Sequence, residues 1–166
     1  SADGGYAYVA AFTAGLEIFD VTNVAAPIRV GGVDTEKASG LTLSADGQYA
    51  YIADGNIGGL QIVDVSNAAL PVIVGSEPTS GFARDVAVSL DAQVVFIADQ
   101  AGGLVIMNVS NVAAPTEVGN LSTSDLAIGV SLSADNQYAF VAAQTAGLLT
   151  IDVSNVAQPL EIEAFA

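Results

Sequence analysis

A single pattern, Gly-Leu-x-Ile-x-Asp-Val-Ser-Asn-x-Ala-x-Pro, starts at Gly15, Gly59, Gly103 and Gly147 with few departures, so one unit returns every 44 residues. A period of that length belongs to repeat architectures in which each unit is one supersecondary element that buries its apolar surface on its neighbours. The units run approximately 1–37, 38–81, 82–125 and 126–166. The chain of 166 residues is therefore expected to be one domain of four small units sharing one core, rather than one irregular globule.

The unit that begins near Phe82 contains four short stretches bounded by turn residues: Ala83 to Ser89, Val94 to Ala98, Leu104 to Val109, and about Thr116 to Val118. Each alternates with period two, and β-branched and aromatic residues dominate, which predicts strands. Between the first two stretches, Leu90-Asp91-Ala92-Gln93 is expected in the place that Ser1-Ala2-Asp3-Gly4, Ser44-Ala45-Asp46-Gly47 and Ser133-Ala134-Asp135-Asn136 take elsewhere. Asp-Gly and Asp-Asn suit a tight hairpin turn. The fourth stretch follows Pro115, and proline fits the start of an outer strand, where a ladder donor is dispensable. In the third stretch of the second unit, Leu60 and Ile62 point one way and Val63 and Val65 the other, so both faces are apolar. A sheet buried on both faces lies between two others. The fold expected is an all-β propeller of four-stranded antiparallel blades.

These residues resemble the LVIVD repeat family of bacteria and archaea. The naming strand is Leu60-Gln61-Ile62-Val63-Asp64-Val65-Ser66-Asn67, and the segments 81–89 and 49–54 are similar to the family's inner strand and the strand after it. Ser1 to Ala10 also resembles YVTN-type surface propellers. The resemblance implies a propeller, commonly on exported or cell-surface proteins, with interaction roles and few defined chemistries. It carries over no catalytic residue. Asn108, Thr150 and Ala143 depart from the repeat, the last standing where Asp54 and Asp99 stand.

Counted along the chain, the first unit lacks its innermost strand, which leaves fifteen strands and an open edge. Open edges invite pairing, so the expectation is that this chain forms part of a longer polypeptide or that another chain completes the blade. No run of about eighteen apolar residues is present for a transmembrane helix, and direct membrane insertion is not expected. Extracellular or cell-surface placement, the periplasm included, is the expectation.

The charge balance narrows the partners. Eighteen Asp and Glu stand against Arg29, Lys37 and Arg84, for a net charge of -15. Nucleic acid and anionic lipid would be repelled, and the charge keeps a chain that is 52% hydrophobic in solution. With no Cys and no His, disulfides, thiolate or imidazole metal sites, and the usual triads are excluded. Asp54 and Asp99 near the channel mouth are the remaining pair for acid and base work, but an acidic rim supplies carboxylates by chance and no enzyme activity is expected.

One rim of the propeller should carry the repeated turns at Asp20, Asp64 and Asp152, with Asn67 and its equivalents. Their residue types fit backbone capping, with calcium as the weaker alternative because no dense ligand run occurs. No other cofactor is expected. The opposite rim varies between units and holds Asp34, Glu36 and Lys37, then Glu77, Arg84 and Asp85, then Ser122 to Asp125. Two of the three bases fall there, able to orient a carboxylate of a partner, unless Arg84 pairs locally with Asp85, Asp54 or Asp99. The stripe formed by Tyr6 and Tyr8, Tyr49 and Tyr51, Val94 and Phe96, Tyr138 and Phe140 is expected in the packing between blades. The function expected is a binding or assembly module contacting a protein partner through the varying rim at Lys37, Arg84, Asp85, Glu77, Asp54, Asp99 and Asp125. The alternatives are a structural subunit that self-associates by strand addition and a calcium-stabilised propeller.

Overall fold

The computed structural model describes residues 1 and 3–165; Ala2, inside the turn expected at 1–4, and Ala166 lie outside the described residues. The first blade consists of β1 (Tyr6–Ala10), β2 (Leu16–Asp20) and β3 (Ile28–Val33). In the second, β4 (Gly40–Leu43) and β5 (Tyr49–Ala53) precede a one-turn helix α1 (Gly55–Gly58), followed by β6 (Leu60–Asp64) and β7 (Val72–Glu77). The third contains β8 (Asp85–Val88), β9 (Val94–Ala98), β10 (Leu104–Asn108) and β11 (Thr116–Leu121). The fourth contains β12 (Ala127–Leu132), β13 (Tyr138–Ala143), β14 (Gly147–Asp152) and β15 (Leu160–Phe165). Every sheet is antiparallel in simple up-and-down order, and the first has three strands where the others have four. The fold is thus an all-β propeller arrangement in which, among the described residues, β1 is the inner edge strand of its blade.

The repeat reaches into backbone detail. In each blade the register between the third and fourth strand positions shifts at one place: after Ile18, Ile62, Ile106 and Thr150. One extra residue on the outer strand raises the local twist, which tilts each blade against the next. Beside the shift, Gly31, Gly75 and Gly119 lie against the carbonyls of Ala68, Val112 and Val156 in the next blade's outer turn, where a Cβ would overlap the oxygen. Glycine is required there because two backbones meet.

The structure corrects three expectations. The single shared core is instead three hydrophobic clusters, one at each joint between consecutive blades. A two-layer joint is the smallest unit that hides a sheet face, so the core is divided as often as blades meet. The turn in the third unit is shifted by one residue: Ser89 Oγ donates to Asp91 Oδ1 at 2.6 Å, as Ser44 does to Asp46 and Ser133 to Asp135. Serine, not the residue after it, therefore sets the frame, and Ala92 takes the left-handed position held by Gly47 and Asn136. The helix α1 was not anticipated; it fills the loop after β5, residues 54–59, which is longer than the loops after β9 (99–103) and β13 (144–146).

Leu60, Ile62, Leu104 and Ile106 are fully buried on one face of their blades, and Val63 and Met107 on the other. Each such side chain contributes about 1.5–3 kcal/mol to the joint it enters. Tyr51 and Phe96 are buried in the second and third joints, the place expected for the aromatic stripe.

Candidate functional site

The link from one blade to the next crosses the varying rim, and a carboxylate fixes each link. Asp54, 1% exposed, follows β5 and accepts hydrogen bonds from Thr35 Oγ1 (2.6 Å), the Glu36 amide (3.0 Å) and the Lys37 amide (2.7 Å). Asp99, fully buried after β9, accepts from Thr79 Oγ1 (2.6 Å) and the Gly81 amide (2.7 Å). Burial pushes the Asp99 carboxyl above the usual carboxylate range, and the two hydrogen bonds oppose that shift. In the fourth blade Ala143 occupies the equivalent place, and the arrangement is inverted. Asp125, on the link, accepts from the Thr145 amide at 2.7 Å and from the Thr145 hydroxyl. The Thr145 hydroxyl is the main cause that holds Asp125 below the usual range.

These contacts sort the expected rim residues by what is left free. Asp54 and Asp99 lie inside the wall, saturated by their own links. They are 1% and 0% exposed, so a partner docking on the rim does not reach them. Asp85 ties β8 to the fourth blade by accepting from the Val130 amide at 3.0 Å. Glu77 closes β7, half-buried. Lys37 lies 3.9 Å from Glu36 and 5.9 Å from the centre of the Phe82 ring. Arg84 differs from all of these: it is exposed, and among the described residues no carboxylate lies within ion-pair distance of it. The local pairing with Asp85, Asp54 or Asp99 is not formed.

Arg84 opens into a cavity lined also by Ala10, Phe12, Ala38, Ser39, Asp85 and Ile128, residues from all four blades. Ala38, Ser39, Arg84, Asp85 and Ile128 stand at or beside the starts of β4, β8 and β12, and Ala10 and Phe12 at the end of β1, so the cavity lies on the varying rim beside the inner strands. Phe12 has φ of 53°, and its backbone is bonded in both directions to Ala38. Gly55 and Gln100 take the same left-handed place and bridge to Ala83 and Ala127. A phenylalanine is costly there, by about 1–2 kcal/mol, and the fold retains it at this cavity. Sequence reasoning missed Phe12. Its one signal is that it replaces Gly or Gln at a position the repeat otherwise keeps small or polar.

On the opposite rim, Asp20, Asp64 and Asp152 each accept from the amide two residues on, at 2.9 Å, within their own turns. Hydrogen bonds from Thr22, Ser66 and Ser154 hold them below the usual carboxylate range. Asn67 likewise accepts from the Ala69 amide at 3.1 Å. These are turn caps in the first, second and fourth blades, and among the described residues no three metal-ligating side chains come together.

A protein of Bacteroides uniformis described as a candidate 6-phosphogluconolactonase has a TM-score of 0.83 to this chain at 16% identity, with 97% of this chain matched to 51% of that one. The periplasmic gluconolactonase PpgL of Pseudomonas aeruginosa follows at 0.76 and 17%, with 99% matched to 55%. The Cps50 (Swd1) β-propeller domain of Myceliophteria thermophila has 0.76 and 14%, with 97% matched to 55%. Likeness at these identities is likeness of fold. The chain spans about half the length of these structures. Among curated proteins no sequence relative matches. The model of the LVIVD repeat matches residues 1–35, 38–79, 80–123 and 127–166, which contain every strand, shifted register and turn cap described above; the chain belongs to the LVIVD repeat family.

Proposed function

We propose that this protein is a non-enzymatic binding module of an exported or cell-surface protein and that it holds an acidic group of a protein partner at this cavity on the varying rim. The observation that carries this reading is Arg84. In a chain of net charge -15, one guanidinium is exposed without a carboxylate partner, in a cavity to which all four blades contribute. A guanidinium presents a planar fork that suits a carboxylate in two-point contact. Phe12 and Ile128 add apolar wall on the sides of the same cavity. Asp54, Asp99 and Asp125 are held by their own links and Asp85 by a neighbouring blade, while the Arg84 guanidinium is left available for exchange with a partner. Lys37, already beside Glu36, contributes field more than contact.

The test is binding of fluorescent peptides rich in Asp and Glu, followed by anisotropy at low and high salt. Wild type should bind the acidic set and release it as salt rises, and Arg84→Glu should abolish binding while the circular dichroism spectrum stays that of the wild type. Equal binding by Arg84→Glu sinks the proposal.

Strand addition is the second reading, favoured by one observation: β1 is the inner edge of a three-stranded sheet, and its outward ladder groups have no strand beside them among the described residues. It predicts oligomers that a β1-blocking substitution, Tyr8→Pro, disperses. Light scattering that gives one mass for both proteins rejects it.

A further inference from the structure

Every blade ends on an outer strand with one side open: β3, β7, β11 and β15 each stand last in their sheet. An open ladder invites pairing with another chain, and proteins blunt such edges with proline, bulges and charge. Proline precedes all four strands, at Pro27, Pro71, Pro115 and Pro159, and all four strands carry the shifted register. The third device is a charge on the second residue of the strand: Arg29 opposite Phe19, Glu117 opposite Met107 and Glu161 opposite Ile151. At that place β7, which lies inside the chain between complete blades and links, has Ile73 opposite Val63.

Apolar surface surrounds the missing charge. Ile73 is 38% exposed, Val72 56%, and Leu70, in the turn before the strand, 71%. The turns of the other blades hold Ala26, Ala114 and Gln158 in the place of Leu70. No charge occurs from Leu70 to Ser76, and the outward ladder groups of β7 have no strand beside them among the described residues. One edge of a protein of net charge -15 is thus apolar and uncharged.

Charge also selects the occupant. A strand that carries acid or base finds an opposite charge at Arg29 or Glu117 and none on β7. What suits β7 is an uncharged apolar strand, and among the outer strands of this chain that strand is β7 itself. In a two-fold antiparallel pair centred on the strand, Ile73 stands diagonal to its own copy, where the other three edges would set two like charges. We propose that β7 pairs with β7 of a second copy of this chain, which joins two four-stranded blades into one continuous sheet. The contact uses the same edge on both copies, so it stops at two. It is separate from pairing along β1 and independent of the role given to Arg84.

Sedimentation of the full chain over a range of concentration should show a reversible equilibrium between one and two copies. Each copy is strongly acidic, so the dimer should tighten as sodium chloride is raised, the reverse of the salt response expected at Arg84. Ile73→Glu installs the residue type that the third and fourth blades already carry at that position, so the fold accommodates it and the circular dichroism spectrum should not change. It should raise the dissociation constant by about tenfold or more. Mixing Ile73→Glu with Ile73→Lys should restore a mixed dimer, and Glu117→Ile, which clears the charge from β11, should give assemblies larger than two. Tyr8→Pro should leave the dimer intact. A monomer at every concentration and salt, or a dimer indifferent to Ile73→Glu, overturns the proposal. A dimer lost with Tyr8→Pro and retained with Ile73→Glu overturns it in favour of the β1 edge.

Discussion

Replacing Asp54 with Ala tests whether a buried carboxylate fixes the link into the second blade. The substitution leaves the amides of Glu36 and Lys37 and the Thr35 hydroxyl without their acceptor. The hydroxyl rotates to another partner, whereas the amides cannot. Each buried donor left unpaired costs about 1–3 kcal/mol, and bonds to a charged acceptor lie in the upper part of that range. Glu36 and Lys37 are half-buried, so water recovers part of the loss and the expected cost is about 3 kcal/mol. In a repeat protein the loss falls first on the element concerned. Urea unfolding should therefore show a lower midpoint. Hydrogen exchange should show the amides of residues 36 and 37 losing about a hundredfold in protection, while the Gly81 amide, held by Asp99, keeps its own. Asp54→Asn should lose less, since its carbonyl oxygen still accepts one of the bonds. A variant within about 1 kcal/mol of wild type and unchanged at residues 36 and 37 would refute the reasoning.

Asp99 should give the protein a pH response of opposite sign to that of the turn-capping Asp20, Asp64 and Asp152. Its folded pKa is raised by burial, so its contribution is most favourable below the unfolded value and is lost as pH rises through the folded value. Between neutrality and about pH 4, acidification should therefore stabilise wild type relative to Asp99→Asn; denaturant midpoints moving the other way would contradict the assignment. Ala92 has φ of 53° where Gly47 and Asn136 stand in the equivalent turns. Ala92→Gly should raise the unfolding midpoint, because relief of about 1–2 kcal/mol of backbone strain exceeds the added unfolded-state entropy of about 0.4–1 kcal/mol. A lower midpoint would show that the alanine is not strained there.

The period and the alternation of apolar residues made the blades legible before any coordinates, because they state which faces are buried and how often. The departures from the repeat were visible too, but their meaning depended on neighbours in space. Asn108 does the work of the Asp it replaces: its Oδ1 accepts from the Ser110 amide at 2.9 Å and the Ser110 hydroxyl at 2.6 Å, bonds that need an oxygen and no charge. Ala143 reads as a lost carboxylate, yet Asp125 restores the contact from the other side of the loop. Thr150 reads as a lost apolar contact, yet it is one half of a ladder pair whose other half has become Glu163. Asn108 keeps its contact within its own turn, whereas the residues that answer Ala143 and Thr150 lie on other segments brought alongside by the fold. The placement of Asp54 and Asp99 was hidden for the same reason. An aspartate after a strand looks exposed until the link that wraps it is seen.

The acidity of the chain takes on a different meaning once its carboxylates are located. Asp46, Asp91 and Asp135 hold the inner hairpins, and Asp20, Asp64 and Asp152 hold the outer turns. All six lie on one rim, with Arg29 on the strand just after the Asp20 turn. Their spacing follows the repeat, so the charge of that rim is a consequence of building the same turn several times. The other rim also carries acids, but Asp54, Asp99 and Asp125 are folded into its links, and Lys37 and Arg84 both emerge there. The rims therefore differ in what they do with their acids: one uses them to cap repeated turns, the other to fix the links between blades. On the binding reading proposed above, an acidic partner would approach the rim from which Arg84 emerges. Arg84 is then the group that such a partner would contact.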